Sequence, residues 1–198
     1  MLFSNNPIEQ LETRRMLSAV LIGKTLKIDG TDHADHITVV QGKSISVVIN
    51  GKKSAFAAGK VSSILVNGKD GSDVIDLSGT SIRSTINAGD GRDRIFGSQG
   101  PDRISGNDDN DFIDGKGGND SIDGDNGDDT IKGGNGDDSI NGGDGGDSVF
   151  GGAGDDFFDV KDTTHEDTVY GSSGHDEAKI DDNGLVKDGT HQVEDVHS

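Results

Sequence analysis
A chain of 198 residues is long enough for one ordinary domain, but 29% hydrophobic and 4% aromatic residues with no Trp leave too little apolar surface for a conventional core. A net charge of −19, with 18 Lys+Arg against 37 Asp+Glu, argues against a nucleic-acid partner or an anionic membrane and makes cations the natural partners. The absence of Cys excludes disulfides and thiolate metal sites, and no apolar run approaches the ~20 residues of a membrane span.

Residues 1–19 read as an export-related or disordered segment. Ala19–Ile22 follows an Arg pair but is too brief for the apolar stretch of a standard secretory signal. The stretch LETRRMLSA (Leu11–Ala19) resembles the LEPR-XLL motif near the N-termini of large planctomycete surface and exported proteins, with Thr13 in place of Pro and Met16 in place of Leu. That resemblance implies an exported bacterial protein. Residues 20–66 carry strand signals: alternation in Thr25–Ile28 and His36–Val40, then runs rich in Ile and Val at Ile45–Ile49 and Val61–Val66. Asn50-Gly51 predicts a tight hairpin turn. This region is expected to form a β-rich cap, as solenoids need atypical end units.

Residues 67–160 are repetitive. From Ala88 the chain divides without a gap into eight nine-residue units: AGDGRDRIF, GSQGPDRIS, GNDDNDFID, GKGGNDSID, GDNGDDTIK, GGNGDDSIN, GGDGGDSVF and GGAGDDFFD. The sixth position is always Asp (Asp93, Asp102, Asp111, Asp120, Asp129, Asp138, Asp147, Asp156) and the eighth is always apolar. Another unit, GKDGSDVID from Gly68, carries Asp73 and Ile75; weaker echoes begin at Gly30 and Gly171. Residues 87–159 hold 19 Asp and no Glu. An acidic solvating tail would mix the two, whereas Asp bends and caps local backbone as Glu cannot.

The pattern G-G-x-G-x-D-x-U-x, with U a large apolar residue, resembles the RTX, or hemolysin-type, calcium-binding repeat. The resemblance implies a right-handed parallel β-roll, with a six-residue calcium-binding turn and a three-residue strand in each unit. It also implies two units per coil. An 18-residue coil stacks Asp93–Asp111–Asp129–Asp147 in one column and Asp102–Asp120–Asp138–Asp156 in another. Carboxylates ~5 Å apart repel by roughly 3 kcal/mol at an effective dielectric near 20. Several Ca2+ ions resolve that conflict, since calcium takes 6–8 oxygen ligands, carboxylates and backbone carbonyls among them. Expected metal-site residues are these eight aspartates with Asp73, and the turn glycines Gly91, Gly118, Gly127, Gly134, Gly136, Gly143, Gly145, Gly152 and Gly154. The turns at 97–116 depart from the pattern: Asn107, Asp109 and Lys116 stand where glycines are expected, and Pro101 fills a fifth position.

Residues 161–198 read as a degenerate last coil and tail, with strand-like pieces at Val169–Tyr170 and Ala178–Ile180. No catalytic constellation emerges. His165-Glu166 lacks the second His of a zincin, and GSSGH at 171–175 falls in register as a repeat turn. His33 and His36 share a turn, weak support for zinc. The seventh positions of the units (Arg94, Arg103, Phe112, Ser121, Thr130, Ser139, Ser148, Phe157) form no uniform ladder for binding ice or a crystal face. The expectation is therefore a non-enzymatic, secreted or cell-surface calcium-binding roll in a structural or adhesive role. The alternatives are a calcium-dependent module for an extracellular glycan or protein, and an accessory domain for a secreted enzyme on another chain.

Overall fold
The computed structural model describes residues 18–160, 167–180, 185–186 and 193–195. The LEPR-XLL-like stretch falls mostly outside them. In chain order the strands are β1 (Ser18–Ile22), β2 (Thr25–Asp29), β3 (His36–Gln41), β4 (Ser44–Ile49), β5 (Lys52–Ala57), β6 (Ser63–Asn67) and β7 (Val74–Gly79). There follow β8 (Ser84–Asn87), β9 (Arg94–Phe96), β10 (Arg103–Asp108), β11 (Phe112–Gly117), β12 (Ser121–Asn126), β13 (Thr130–Asn135) and β14 (Ser139–Asn141). The last are β15 (Ser148–Ala153), β16 (Phe157–Val160), β17 (Thr168–Ser173), β18 (Asp176–Ile180), β19 (Leu185–Val186) and β20 (Val193–Asp195). Among the described residues no helix is long and apolar enough to cross a membrane.

The strands form two ten-stranded sheets. One runs β1-β2-β6-β8-β10-β12-β14-β16-β18-β20, the other β19-β17-β15-β13-β11-β9-β7-β3-β4-β5. From β6 onward successive strands alternate between sheets, so two strands make one coil and the coils stack in parallel. This is the parallel β-roll expected from the repeat. Register follows the 18-residue period: Ile104 pairs with Ile122, and Ile113 with Ile131. Two-residue insertions lengthen some coils, pairing Ile75 with Ile95 and Val149 with Val169, yet the apolar stack stays in line.

Each eighth-position side chain points between the sheets. Ile86, Ile104, Ile122 and Ile140 on one side, and Ile75, Ile95, Ile113, Ile131 and Val149 on the other, are at most 2% exposed. One β-branched residue per strand suits such a narrow interior. The N-terminal end is richer, with Leu26, Ile28, Ile37, Val39, Ile45, Val47, Ile64 and Val66 all buried. There β3, β4 and β5 form an antiparallel meander. Asn50 and Gly51 both take positive φ (48° and 77°), as a type I′ hairpin requires.

Of the repeat strands β9 and β14 have the three residues expected, whereas others are longer. β10 to β13 each span six and reach the third position of the next unit. In the longer strands the first-position glycine faces inward beside the eighth-position Ile, as the buried pair Ile104 and Gly106 illustrates. The inter-coil ladder therefore continues across it.

Candidate metal centre
The sixth-position aspartates form two continuous hydrogen-bonded ladders. In the first, each backbone N–H donates to the Oδ1 of the next rung: Asp35 to Asp73 (2.8 Å), Asp73 to Asp93 (2.7 Å), Asp93 to Asp111 (2.8 Å), Asp111 to Asp129 (2.7 Å), Asp129 to Asp147 (2.9 Å) and Asp147 to Asp167 (2.8 Å). In the second, Ser84 donates to Asp102 (2.7 Å), Asp102 to Asp120 (2.8 Å), Asp120 to Asp138 (2.8 Å), Asp138 to Asp156 (2.9 Å) and Asp156 to Asp176 (3.1 Å). All nine aspartates singled out in the sequence lie on these ladders. Three more rungs, Asp35, Asp167 and Asp176, join them. Asp35 and Asp176 are the sixth residues of the weak echoes, and Asp167-Thr168-Val169 repeats the Asp-x-apolar ending of a unit.

Oδ1 is thus satisfied by backbone, and Oδ2 is left over. In Asp73, Asp93, Asp111, Asp120, Asp129, Asp138, Asp156 and Asp176, Oδ2 is buried with no hydrogen-bond partner. Buried polar atoms are rarely left so, and a run of eight in equivalent places calls for an explanation. Seven of these carboxylates lean over the first glycine of their own unit, the exception being Asp93, whose unit begins with Ala88. A Cβ on Gly115 would lie 2.5 Å from Asp120 Oδ2 and 2.6 Å from the Gly133 carbonyl oxygen one coil on. The glycine keeps open a cradle bounded by a carboxylate and a carbonyl.

The second and fourth positions shape the rest of the turn. Gly134, Gly143 and Gly152 at the second position, and Gly91, Gly118, Gly127, Gly136, Gly145 and Gly154 at the fourth, all take positive φ. Asn107, Lys116 and Asp125 at the second position and Asp109 at the fourth hold the same conformation without being glycine, at φ between 70° and 82°. Asn and Asp reach the left-handed region more readily than other side chains. The departures noted at 97–116 therefore leave the backbone of the 106 and 115 turns in the common form.

Without a cation, electrostatics make the ionised ladder unstable. Burial pushes Asp93, Asp120 and Asp129 up to about 8, Asp111 and Asp156 to about 7, and Asp73 and Asp138 to about 6. The N–H donated by the preceding rung opposes each shift, while nearby aspartates add to it; Asp147, Asp111 and Asp128 do so at Asp129. The chemistry left to such a site is to hold a hard cation. Every candidate donor is oxygen, the carboxylate charge is uncompensated, and glycine turns leave carbonyls accessible. Among the described residues no three His, Cys, Asp or Glu side chains converge on one point, so backbone carbonyls would have to complete the shell.

Comparison with curated proteins and with solved structures found no match. Residues 87–122 and 123–158 each match the family model described as the RTX calcium-binding nonapeptide repeat (4 copies). The two ladders and their glycine cradles run through this segment, and over residues 87–158 the chain carries RTX calcium-binding nonapeptide repeats.

Proposed function
We propose that the protein is an extracellular or cell-surface calcium-binding roll in which calcium entry into the two ladders drives folding of the repeat segment, in a structural or adhesive role. The observation that carries this reading is the series of buried, partnerless Oδ2 atoms, all but that of Asp93 beside a first-position glycine. Asp73, Asp93, Asp111, Asp120, Asp129, Asp138, Asp147 and Asp156 would supply the carboxylates, and the glycine-rich turns the carbonyls. When bound, calcium neutralises the ladder and ties successive coils together, so that binding free energy becomes folding free energy. The affinity expected of an extracellular module is about 10⁻⁴ to 10⁻³ M, with cooperative binding because neighbouring rungs share each ladder. Far-UV circular dichroism during a calcium titration tests this. A cooperative coil-to-β transition with calcium, and little response to magnesium, is the expected result. A spectrum already β-rich in chelator and unmoved by calcium would refute it.

A second reading rests on the outer face of the sheet containing β9, β11, β15 and β17. Phe96, Phe112, Phe150 and Tyr170 line it, half-buried. The Phe150 and Tyr170 rings stack at 4.7 Å, and the Arg94 guanidinium lies 4.7 Å from the Phe112 ring centre. Lys116 and Lys132 approach the same rings. Aromatic rings interleaved with cations suit an acidic glycan, a role that depends on calcium only through the fold. Retention on a glycan array in calcium, lost in Phe112→Ala with the circular dichroism unchanged, would support it; no retention of the wild-type chain would refute it.

A further inference from the structure
Two turns differ from the other described repeat turns in how the carboxylate is hydrogen-bonded and in their backbone. In the unit Gly30–Thr38 the second residue is Thr31, and its N–H and hydroxyl both donate to Asp35 Oδ2 (2.5 and 3.1 Å). In the unit Gly97–Ser105 the second residue is Ser98; its N–H donates to Asp102 Oδ2 (2.6 Å) and its hydroxyl to Oδ1 (3.0 Å). The oxygen left without a partner in eight other rungs is therefore engaged at Asp35 and Asp102. The backbone differs as well. Thr31, His33, Ser98 and Gly100 lack the positive φ that the second and fourth positions take in the units beginning at 68, 88, 106, 115, 124, 133, 142, 151 and 171.

The hydroxyl alone does not make the difference. Ser172 also occupies a second position, but with φ at 85°, and Asp176 Oδ2 in its turn has no partner. What matters is the orientation of the peptide. In the two exceptional turns an N–H faces the carboxylate, and a donor dipole aimed at Oδ2 repels a cation from the same place.

Building on the calcium reading above, we infer that the Thr31–Asp35 and Ser98–Asp102 turns are cation-independent, the second residue supplying from within the chain what calcium supplies elsewhere. Each is the N-terminal aspartate of its ladder. On the second ladder the positions in line before Asp102 are Ser84 and the buried Ile64. Asp35 is held on its other side by the Asn50 side chain, whose Nδ2 donates to Oδ1 (2.5 Å). Both ladders thus begin on a preformed, metal-free rung, and calcium acts on the rungs that follow. Asp102, although in register with the other repeats, is then a positioning group and not a calcium ligand.

The test compares Asp102→Asn with Asp120→Asn. Both changes keep an Oδ1 acceptor for the ladder hydrogen bond. Bound calcium is counted by native mass spectrometry at saturation, with circular dichroism confirming that each variant folds. Asp102→Asn is expected to leave the count unchanged, and Asp120→Asn to lower it. An equal loss in both overturns the inference. No loss in either refutes the cation reading of the ladders, and the inference with it. A second measurement needs no variant: anomalous scattering from crystals of the wild-type chain grown in calcium. Ions at the Asp120 and Asp138 turns and none at Asp102 are expected, and an ion bound to Asp102 Oδ2 overturns the inference.

Discussion
Replacing Asp129 by Asn should change stability in opposite directions with and without calcium. Asp129 Oδ1 accepts the Asp111 N–H at 2.7 Å, a contact that the Asn oxygen preserves. Its Oδ2 is buried without a partner, and burial raises the carboxyl from 3.8 to about 8. At pH 7 the difference between 3.8 and 7 corresponds to about 4 kcal/mol of lost stability in the absence of a cation, at about 1.4 kcal/mol for each tenfold change in acid constant. Asn carries no such penalty, and its Nδ2 can donate to a carbonyl in the cradle. In chelator the variant is therefore more stable than the wild type by up to about 4 kcal/mol, a large part of the 5–15 kcal/mol typical of a domain. In calcium the order reverses, because a charged ligand has been replaced by an amide nitrogen that cannot coordinate. Urea unfolding at pH 7, in chelator and in saturating calcium, measures both, with sucrose added to each to keep the chelated fold populated. Destabilisation in both media would mean that Asp129 matters only for packing and hydrogen bonding. Stabilisation in both would mean that no cation uses it.

The chelated roll should be more stable in acid than at neutral pH: groups raised to about 6–8 contribute stability that is fully present below about 4 and lost as pH rises through their folded values. Thermal melts in chelator from pH 4 to 8 check the sign, and higher stability at pH 8 would contradict it; calcium affinity should correspondingly weaken as pH falls from 8 to 6. Gly115→Ala places a Cβ against Asp120 Oδ2 and the Gly133 carbonyl, so it should cost about 1–3 kcal/mol in calcium and remove one ion from the count. Ile131→Ala empties a fully buried site and should cost about 2–5 kcal/mol by urea unfolding, leaving the ion count of the folded chain intact.

The period of nine made the stacking legible once the resemblance to the RTX repeat supplied two units per coil, since an 18-residue coil aligns every second sixth-position Asp. It placed Asp93 beneath Asp111 and Asp102 beneath Asp120. Asp167 was harder to see, since the segment before it departs from the repeat and only Asp-x-Val survives. The six-residue strands were not visible because the same period gives three residues in β9 and β14 and six in β10 to β13. The role of Ser98 was hidden for a different reason. Ser98 and Ser172 are the same residue at the same position, and peptide orientation, not residue type, decides whether Asp102 or Asp176 finds a donor in its own turn.

The antiparallel pairing at the N-terminal end also sets how copies of this protein could join. β1 runs opposite to β2 and hence to the coils, whereas β5, reversed twice through β4 and β3, runs along them. A second molecule arriving end-on would meet one edge pointing with its strands and the other against them. It would also meet the exposed Lys52 and Lys53 on β5, charges of the kind that discourage edge pairing. No single screw operation extends both sheets across that junction, and neither ladder finds a further aspartate there. Calcium can lengthen order within one molecule, while the opposed strand directions of β1 and β5 work against carrying both sheets on into a second copy.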